Sequence, residues 1–337
     1  MIKDLIQKLI QKKDLTAIEM QQMMEEILNG VTDTADIIAF LTALNDKGET
    51  VEELTAAVKV MLKYVDPIII DKPNILDTCG TGGDKKGTFN ISTITAFVAA
   101  GAGITVAKHG NRSVSSLCGS ADILEALGIN INLDKEKIKK CLEDIGIAFL
   151  FAPNLHPAMK QVMPARIQIA GKTMFNLLGP LINPARATNQ LIGVYSAEWT
   201  PILARVLHNL GTEHVLVVHG KDGLDEVTTI DKTIICECNH GEFRDYEIAP
   251  EDFGFKRTDP KEIMGSEIKE NARIALDILS GEKGPKREIV LLNAACAIYA
   301  GNKAASIKEG LKLAIDSIDS GKAMTKLKLL KDYSRLN

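Results

Sequence analysis

The sequence predicts an α/β protein with a small all-helical N-terminal domain and a larger α/β domain built on a mostly parallel central sheet. Three observations carry this. Roughly the first 65 residues place apolar side chains at helical spacing and show no strand-like alternation. From about Asn74, short apolar strands alternate with helical stretches, the pattern of a parallel sheet covered by helices. The last ~70 residues return to helix.

In chain order, Thr16-x-x-Glu19 and Thr50-x-x-Glu53 read as capping boxes, each opening a helix. Gly30 and Gly48 sit where helix ends favour a residue tolerant of positive φ. Asp66-Pro67 and Lys72-Pro73 bracket a linker, so the domains are expected at 1–70 and 71–337, with a helical segment near 162–186 joining the first. Strands are expected over Asn74 to Thr78, Ile104 to Ala107, Leu191 to Val194, His214 to His219 and Thr233 to Cys238. Helices are expected over Ile91 to Ala100, Ser120 to Leu127 (closed by Gly128) and Pro201 to Leu210. Gly265, Gly281, Gly301 and Gly310 are expected to break the C-terminal helices.

Composition narrows the function. With 45% hydrophobic residues in 337, a sizeable core is easily built. No window reaches the ~18 uninterrupted apolar residues of a membrane helix. The start, Met1 to Gln7, is charged and amphipathic and lacks a signal-peptide core, so a cytoplasmic protein away from membranes is expected. Six cysteines lie scattered without a disulfide framework. Cys236-x-Cys238 with His240 resembles half a metal site, but reads better as one face of a strand. A net charge of −4 argues against a nucleic-acid surface. Any anion bound here must be held by particular loops.

Three loops qualify. Asp77-Thr78-Cys79-Gly80-Thr81-Gly82-Gly83-Asp84 follows a strand and runs through Thr88 to Asn90-Ile91-Ser92-Thr93 at a helix start. Glycines there let backbone N–H groups approach a phosphate, and the helix dipole favours an anion. A dinucleotide fingerprint from Gly80 fails at Lys85, and a P-loop from Gly82 fails at Thr88. Lys108-His109-Gly110-Asn111-Arg112-Ser113-Val114-Ser115-Ser116 supplies cations and hydroxyl donors after the next strand. A right-handed crossover puts both loops at one edge of the sheet. Lys221-Asp222-Gly223-Leu224-Asp225-Glu226 adds paired carboxylates suited to a magnesium ion shared with phosphate oxygens.

Together, Gly-Thr-Gly-Gly-Asp at 80–84, Lys-His-Gly-Asn-Arg at 108–112 and Asp-Gly-Leu-Asp-Glu at 222–226 closely resemble the anthranilate phosphoribosyltransferases. His156-Pro157-Ala158-Met159 and Phe175 to Pro184 match that family too, so the resemblance spans almost the whole chain. It implies a nucleoside phosphorylase/phosphoribosyltransferase-like fold. It also implies transfer of the phosphoribosyl group from phosphoribosyl diphosphate (PRPP) to anthranilate in tryptophan biosynthesis, with Mg2+ as cofactor, two ions per site. By resemblance, Gly80, Gly83, Asp84, Thr88, Asn90 to Thr93 (with Ile91 and Ser92), Lys108 to Ser116 and Ser120 would bind PRPP. Gly80, Asn111 and Arg166 would meet anthranilate, while Ser92, Asp225 and Glu226 would hold the metal. Leu117-Cys118 departs from the small or basic residues usual in the family, so Leu117 is given no phosphate contact. Lys108 and His109 are the catalytic candidates, and a homodimer through the N-terminal helices is expected.

The enzymatic rival is a pyrimidine nucleoside phosphorylase, which shares the build and a related glycine loop but needs no Asp-Glu metal pair. A non-catalytic nucleic-acid-binding relative would be basic, whereas this chain is acidic.

Overall fold

The computed structural model describes residues 2–112 and 118–336. Its first part is four helices: α1 (Ile2–Ile10), α2 (Ala17–Leu28), α3 (Thr34–Lys47) and α4 (Val51–Lys63). Both expected capping boxes form. Thr16 accepts from the Glu19 N–H while Glu19 accepts from the Thr16 N–H, and Thr50 and Glu53 do the same at α4. Glu53 is fully buried, and it also accepts from the Leu15 N–H and from Lys47 Nζ, both at 2.8 Å. One buried carboxylate thus ties three segments of the bundle.

The second part is a seven-stranded sheet ordered β3-β2-β1-β4-β5-β6-β7. The strands are β1 (Leu76–Asp77), β2 (Val106–Gly110), β3 (Ile147–Phe151), β4 (Asn189–Gly193), β5 (His214–Gly220), β6 (Thr233–Asn239) and β7 (Glu242–Ile248). The first five run parallel, and β6 and β7 add an antiparallel edge. Parallel strands are covered on both faces by helices, so their side chains are buried on both sides, polar ones such as Asp77, Lys108 and Asn189 included. Among them α5 (Ile91–Gly101) packs against β2 and against the long helix Pro285–Ala300.

A buried apolar cluster joins the two parts. It gathers α1 to α4, Val162, Ala165, Met174, Phe175 and Leu178, and one face of β4, β5 and β6. Cys236 and Cys238 lie buried on that face, as the alternation in β6 requires, and neither forms a disulfide. Among the described residues, no helix is long and apolar enough to cross a membrane.

Three expectations are corrected. Lys108, His109 and Gly110 are strand residues of β2, paired with Phe149, Leu150 and Phe151 of β3, and the loop begins only at Asn111. The polar side chains hid a strand that is buried at every position. β1 is reduced to Leu76–Asp77. Gly310 does not break a helix but lies inside Ile307–Asp319, where the Ala295 carbonyl of the neighbouring helix occupies the space a Cβ would need. There glycine serves close helix packing.

Candidate active site

Strand order dictates where a ligand can sit. The chain steps outward from β1 to β2 and β3, then returns to β4 on the other side of β1. The crevice at the carboxyl ends of β1 and β4 is therefore the topological switch point, where open α/β sheets bind ligands. The glycine loop leaves β1 there and stays close to β4, because the Thr81 N–H donates to the Gly193 carbonyl at 2.9 Å. Gly193 in turn abuts the backbone of Asp225, in the space a Cβ would occupy. A residue with any side chain at 193 would push the acidic loop away from the glycine loop.

Around this crevice the charges crowd. The Asp225 N–H points at Asp84 Oδ2 across 3.5 Å. Burial, then Asp84, then Glu226 hold the Asp225 carboxyl well above the usual carboxylate range. Burial pushes Glu226 up to about 8, opposed by Lys108 and reinforced by Asp84. Lys108 is buried and donates from Nζ to the Thr78 carbonyl (3.1 Å), the Thr78 hydroxyl (3.2 Å) and the Ser92 hydroxyl (3.3 Å). Beneath it, Asp77 accepts from Asn183 Nδ2 at 2.7 Å and from the His109 and Cys79 N–H groups, and burial raises it to about 6.

Asp84, Asp225 and Glu226 thus act on one another as like charges, and Lys108 is the cation that opposes the shift of Glu226. A divalent cation would relieve this crowding. Among the described residues, no three His, Cys, Asp or Glu side chains are arranged to hold an ion unaided. The donor set therefore fits a metal that takes part of its shell from a ligand's phosphate oxygens.

The remaining expected residues divide by position. Gly80, Gly83 and Thr88 lie along the glycine loop, with Thr88 bridged to Met264. Asn90 precedes α5 and donates from Nδ2 to the Cys118 carbonyl, and its Oδ1 finds no partner among the described residues. Ile91 and Thr93 are buried at the start of α5, while Ser92 faces Lys108. Gly110 packs tightly on Ser120 and Phe149, and Ser120 donates to the Asn111 carbonyl at 3.1 Å. Asn111 is exposed at the mouth of the crevice. Arg112 turns away, pairing with Asp122 and Glu125 at 2.9 and 2.6 Å. Ser113, Val114, Ser115, Ser116 and Leu117 lie outside the described residues.

His109 carries a clear constraint. Its Nδ1 lies 3.1 Å from the Gly179 carbonyl, which can only accept, so the ring proton sits on Nδ1. Its Nε2 must then accept from Nε2 of His156 at 3.1 Å. Burial lowers His109 to about 3 and His156 to about 4, so both rings are neutral at pH 7. Both nitrogens of His109 are taken by architecture.

Arg166, in the helix Met163–Ile169, stands with its guanidinium carbon 5.9 Å over the Phe175 ring. Among the described residues it has no hydrogen-bond or ion-pair partner, and burial lowers its pKa. A half-buried arginine without a carboxylate is poised for an anionic ligand.

Sequence reasoning left Asp77, His156 and Lys172 out of the site. His156 was visible only as part of a family motif, and nothing local marks Lys172. Asp77 could have been suspected as a carboxylate at a strand end.

Known proteins share this architecture. The model of the glycosyl transferase family a/b domain matches residues 72–324, and that of its helical bundle domain matches residues 3–65. The anthranilate phosphoribosyltransferase of Clostridium kluyveri is 48% identical over 334 residues, covering 99% of this chain and 100% of the relative. The crystal structure of the Thermus thermophilus enzyme of that name superposes with a TM-score of 0.93 at 39% identity, covering 98% of this chain and 99% of that one. The Saccharomyces cerevisiae enzyme, solved in complex with PRPP and Mg, superposes with a TM-score of 0.90 at 29% identity, covering 99% and 97%. Its complex with 4-fluoroanthranilate gives 0.89 at 29% identity, over the same shares. With both domains, the full length and the fold in agreement, the chain belongs to the anthranilate phosphoribosyltransferase family.

Proposed function

We propose that the chain transfers the 5-phosphoribosyl group of PRPP to the amine of anthranilate, releasing diphosphate, the second step of tryptophan biosynthesis from chorismate. The observation that carries this reading is the convergence of the glycine loop, Lys108 and three crowded carboxylates at the switch point between β1 and β4. Backbone N–H groups of the glycine loop and the start of α5 suit phosphate oxygens, and the unpaired Arg166 suits a carboxylate.

Breaking the bond between ribose C1 and diphosphate leaves positive charge on the sugar and negative charge on the leaving group. Lys108 stands where it can offset the negative charge, and Asp225, Glu226 and the Ser92 hydroxyl would anchor Mg2+, two ions per site by family resemblance. The metal supplies charge compensation for the leaving diphosphate. Anthranilate's amine is already neutral at pH 7, so no strong base is required, in keeping with a neutral His109 that has no free nitrogen. Arg166 would hold the acceptor's carboxylate and aim its amine at C1.

The test is direct. Anthranilate fluorescence should fall in the presence of PRPP and magnesium, and no turnover should occur with pyrimidine nucleoside and phosphate. Persistent anthranilate fluorescence overturns the reading, and nucleoside turnover would favour the phosphorylase.

We also propose that residues 162–186 belong with the helical domain 1–70, that the protein is cytoplasmic, and that it dimerises through this helical region. Ile10, Ile18 and Ile167 are exposed there, at 55%, 67% and 71%. Charged substitutions at these positions are expected to yield monomers by sedimentation. A wild-type protein that sediments only at its monomer mass of 36.6 kDa at micromolar concentration would rule the dimer out.

A further inference from the structure

The short connection after the Arg166 helix holds a cation that the assignments above leave out. Ala170 sits at φ 51, in the left-handed region, and ends the helix, and Lys172 follows before the helix Met174–Leu178 begins. The turn brings Lys172 to Tyr195 and the glycine loop. Its Nζ rests 3.2 Å from the ring centroid of Tyr195, at the end of β4. Its Cε lies 3.4 Å from where a Cβ of Gly83 would stand, so the lysine stem covers the glycine loop. The Tyr195 N–H is itself fixed to that loop, donating to the Thr81 hydroxyl at 3.2 Å.

Among the described residues Lys172 has neither an ion pair nor a hydrogen bond. Burial and then Lys85 lower its pKa, while Asp225 and Asp84 oppose them. A lysine on a ring face gains less than one donating to phosphate oxygens.

We propose that Lys172 is a binding residue for the diphosphate of PRPP. In the presence of the donor its ammonium leaves the Tyr195 ring and donates to diphosphate oxygens above Gly83, joining the connection 170–173 to the glycine loop. This rests on the phosphoribosyltransferase reading of the site. The diphosphate is the portion addressed, because Lys172 overlies Gly83, which directly precedes Asp84, and Asp84 meets the Asp225 N–H across 3.5 Å, whereas Arg166 lies against Phe175.

The experiment is calorimetric titration of inorganic diphosphate with magnesium into wild-type, Lys172→Met and Lys172→Arg proteins. Lys172→Met is expected to bind about 10- to 100-fold more weakly. Lys172→Arg should bind within about 3-fold of wild type, since it keeps the charge. KM for anthranilate should change by less than about 2-fold in either variant. Lys172 is half-exposed, so its loss is tolerable to the fold, and Lys172→Gln repeats the comparison if the Met variant melts early. Equal affinity in wild type and Lys172→Met overturns the role of Lys172 alone. So does a loss confined to anthranilate. A wild-type protein that binds neither PRPP nor diphosphate overturns the site reading itself.

Discussion

Changing Asp225→Asn together with Glu226→Gln is expected to lower kcat by ~10³-fold or more while the chain still folds. The two carboxylates stand in the loop after β5, where the Asp225 N–H meets Asp84 and Lys108 acts on Glu226. They are the proposed protein anchors of the metal, and their loss would leave the charge on the departing diphosphate to Lys108 and backbone donors. Folding is spared because burying the ionised pair already costs the metal-free fold stability. Burial and mutual proximity hold both carboxyls above their ordinary range, so neutral isosteres of the same shape remove a cost in the metal-free chain. Rates at saturating and limiting magnesium, with a thermal melt of the metal-free protein, check this. Unchanged activity at limiting magnesium would show that the pair holds no metal.

Arg166→Ala should damage use of the acceptor selectively. Arg166 lies over Phe175, half-buried and without a counter-charge among the described residues. An exposed surface pair in its place would be worth under ~1 kcal/mol. A guanidinium holding a carboxylate in a desolvated pocket costs ~2–5 kcal/mol to lose. That corresponds to about 30-fold to several thousand-fold in kcat/KM for anthranilate. PRPP affinity should stay nearly as before if, as proposed, its phosphates rest on the glycine loop, the start of α5 and Lys108. Equal loss of donor affinity, or no loss at all, would mean that the acceptor carboxylate is held elsewhere.

Local signals in the sequence were reliable wherever neighbouring residues decide the outcome. The capping boxes at Thr16 and Thr50 formed, as did the positive φ of Gly30 and Gly48. Helix α5, β5 and β6 fall close to the expected bounds. What escaped was structure specified by distant partners. β3, Ile147–Phe151, is a continuous apolar run with no alternation to announce it, and it is a strand because β2 lies beside it. β7 is mostly polar and part-exposed, and pairing with β6 makes it an edge strand.

The candidate site divides in the same way. Its glycine loop, its Lys-His-Gly-Asn-Arg run and its Asp-Glu pair are contiguous, because approach to a phosphate and placement at a strand end are properties of short segments. By itself the sequence determined the fold class, the loops and the kinds of group they carry. The tertiary structure alone decided which groups face each other. Asp84 meets Asp225 across 141 positions because β4 lies beside β1, and His109 meets His156 across 47, where a buried acceptor fixes its proton. Arg112 is drawn to carboxylates of the following helix, while Lys172 reaches the glycine loop from a distant segment of the chain. Such pairings follow from strand order and buried packing, which no spacing along the chain encodes.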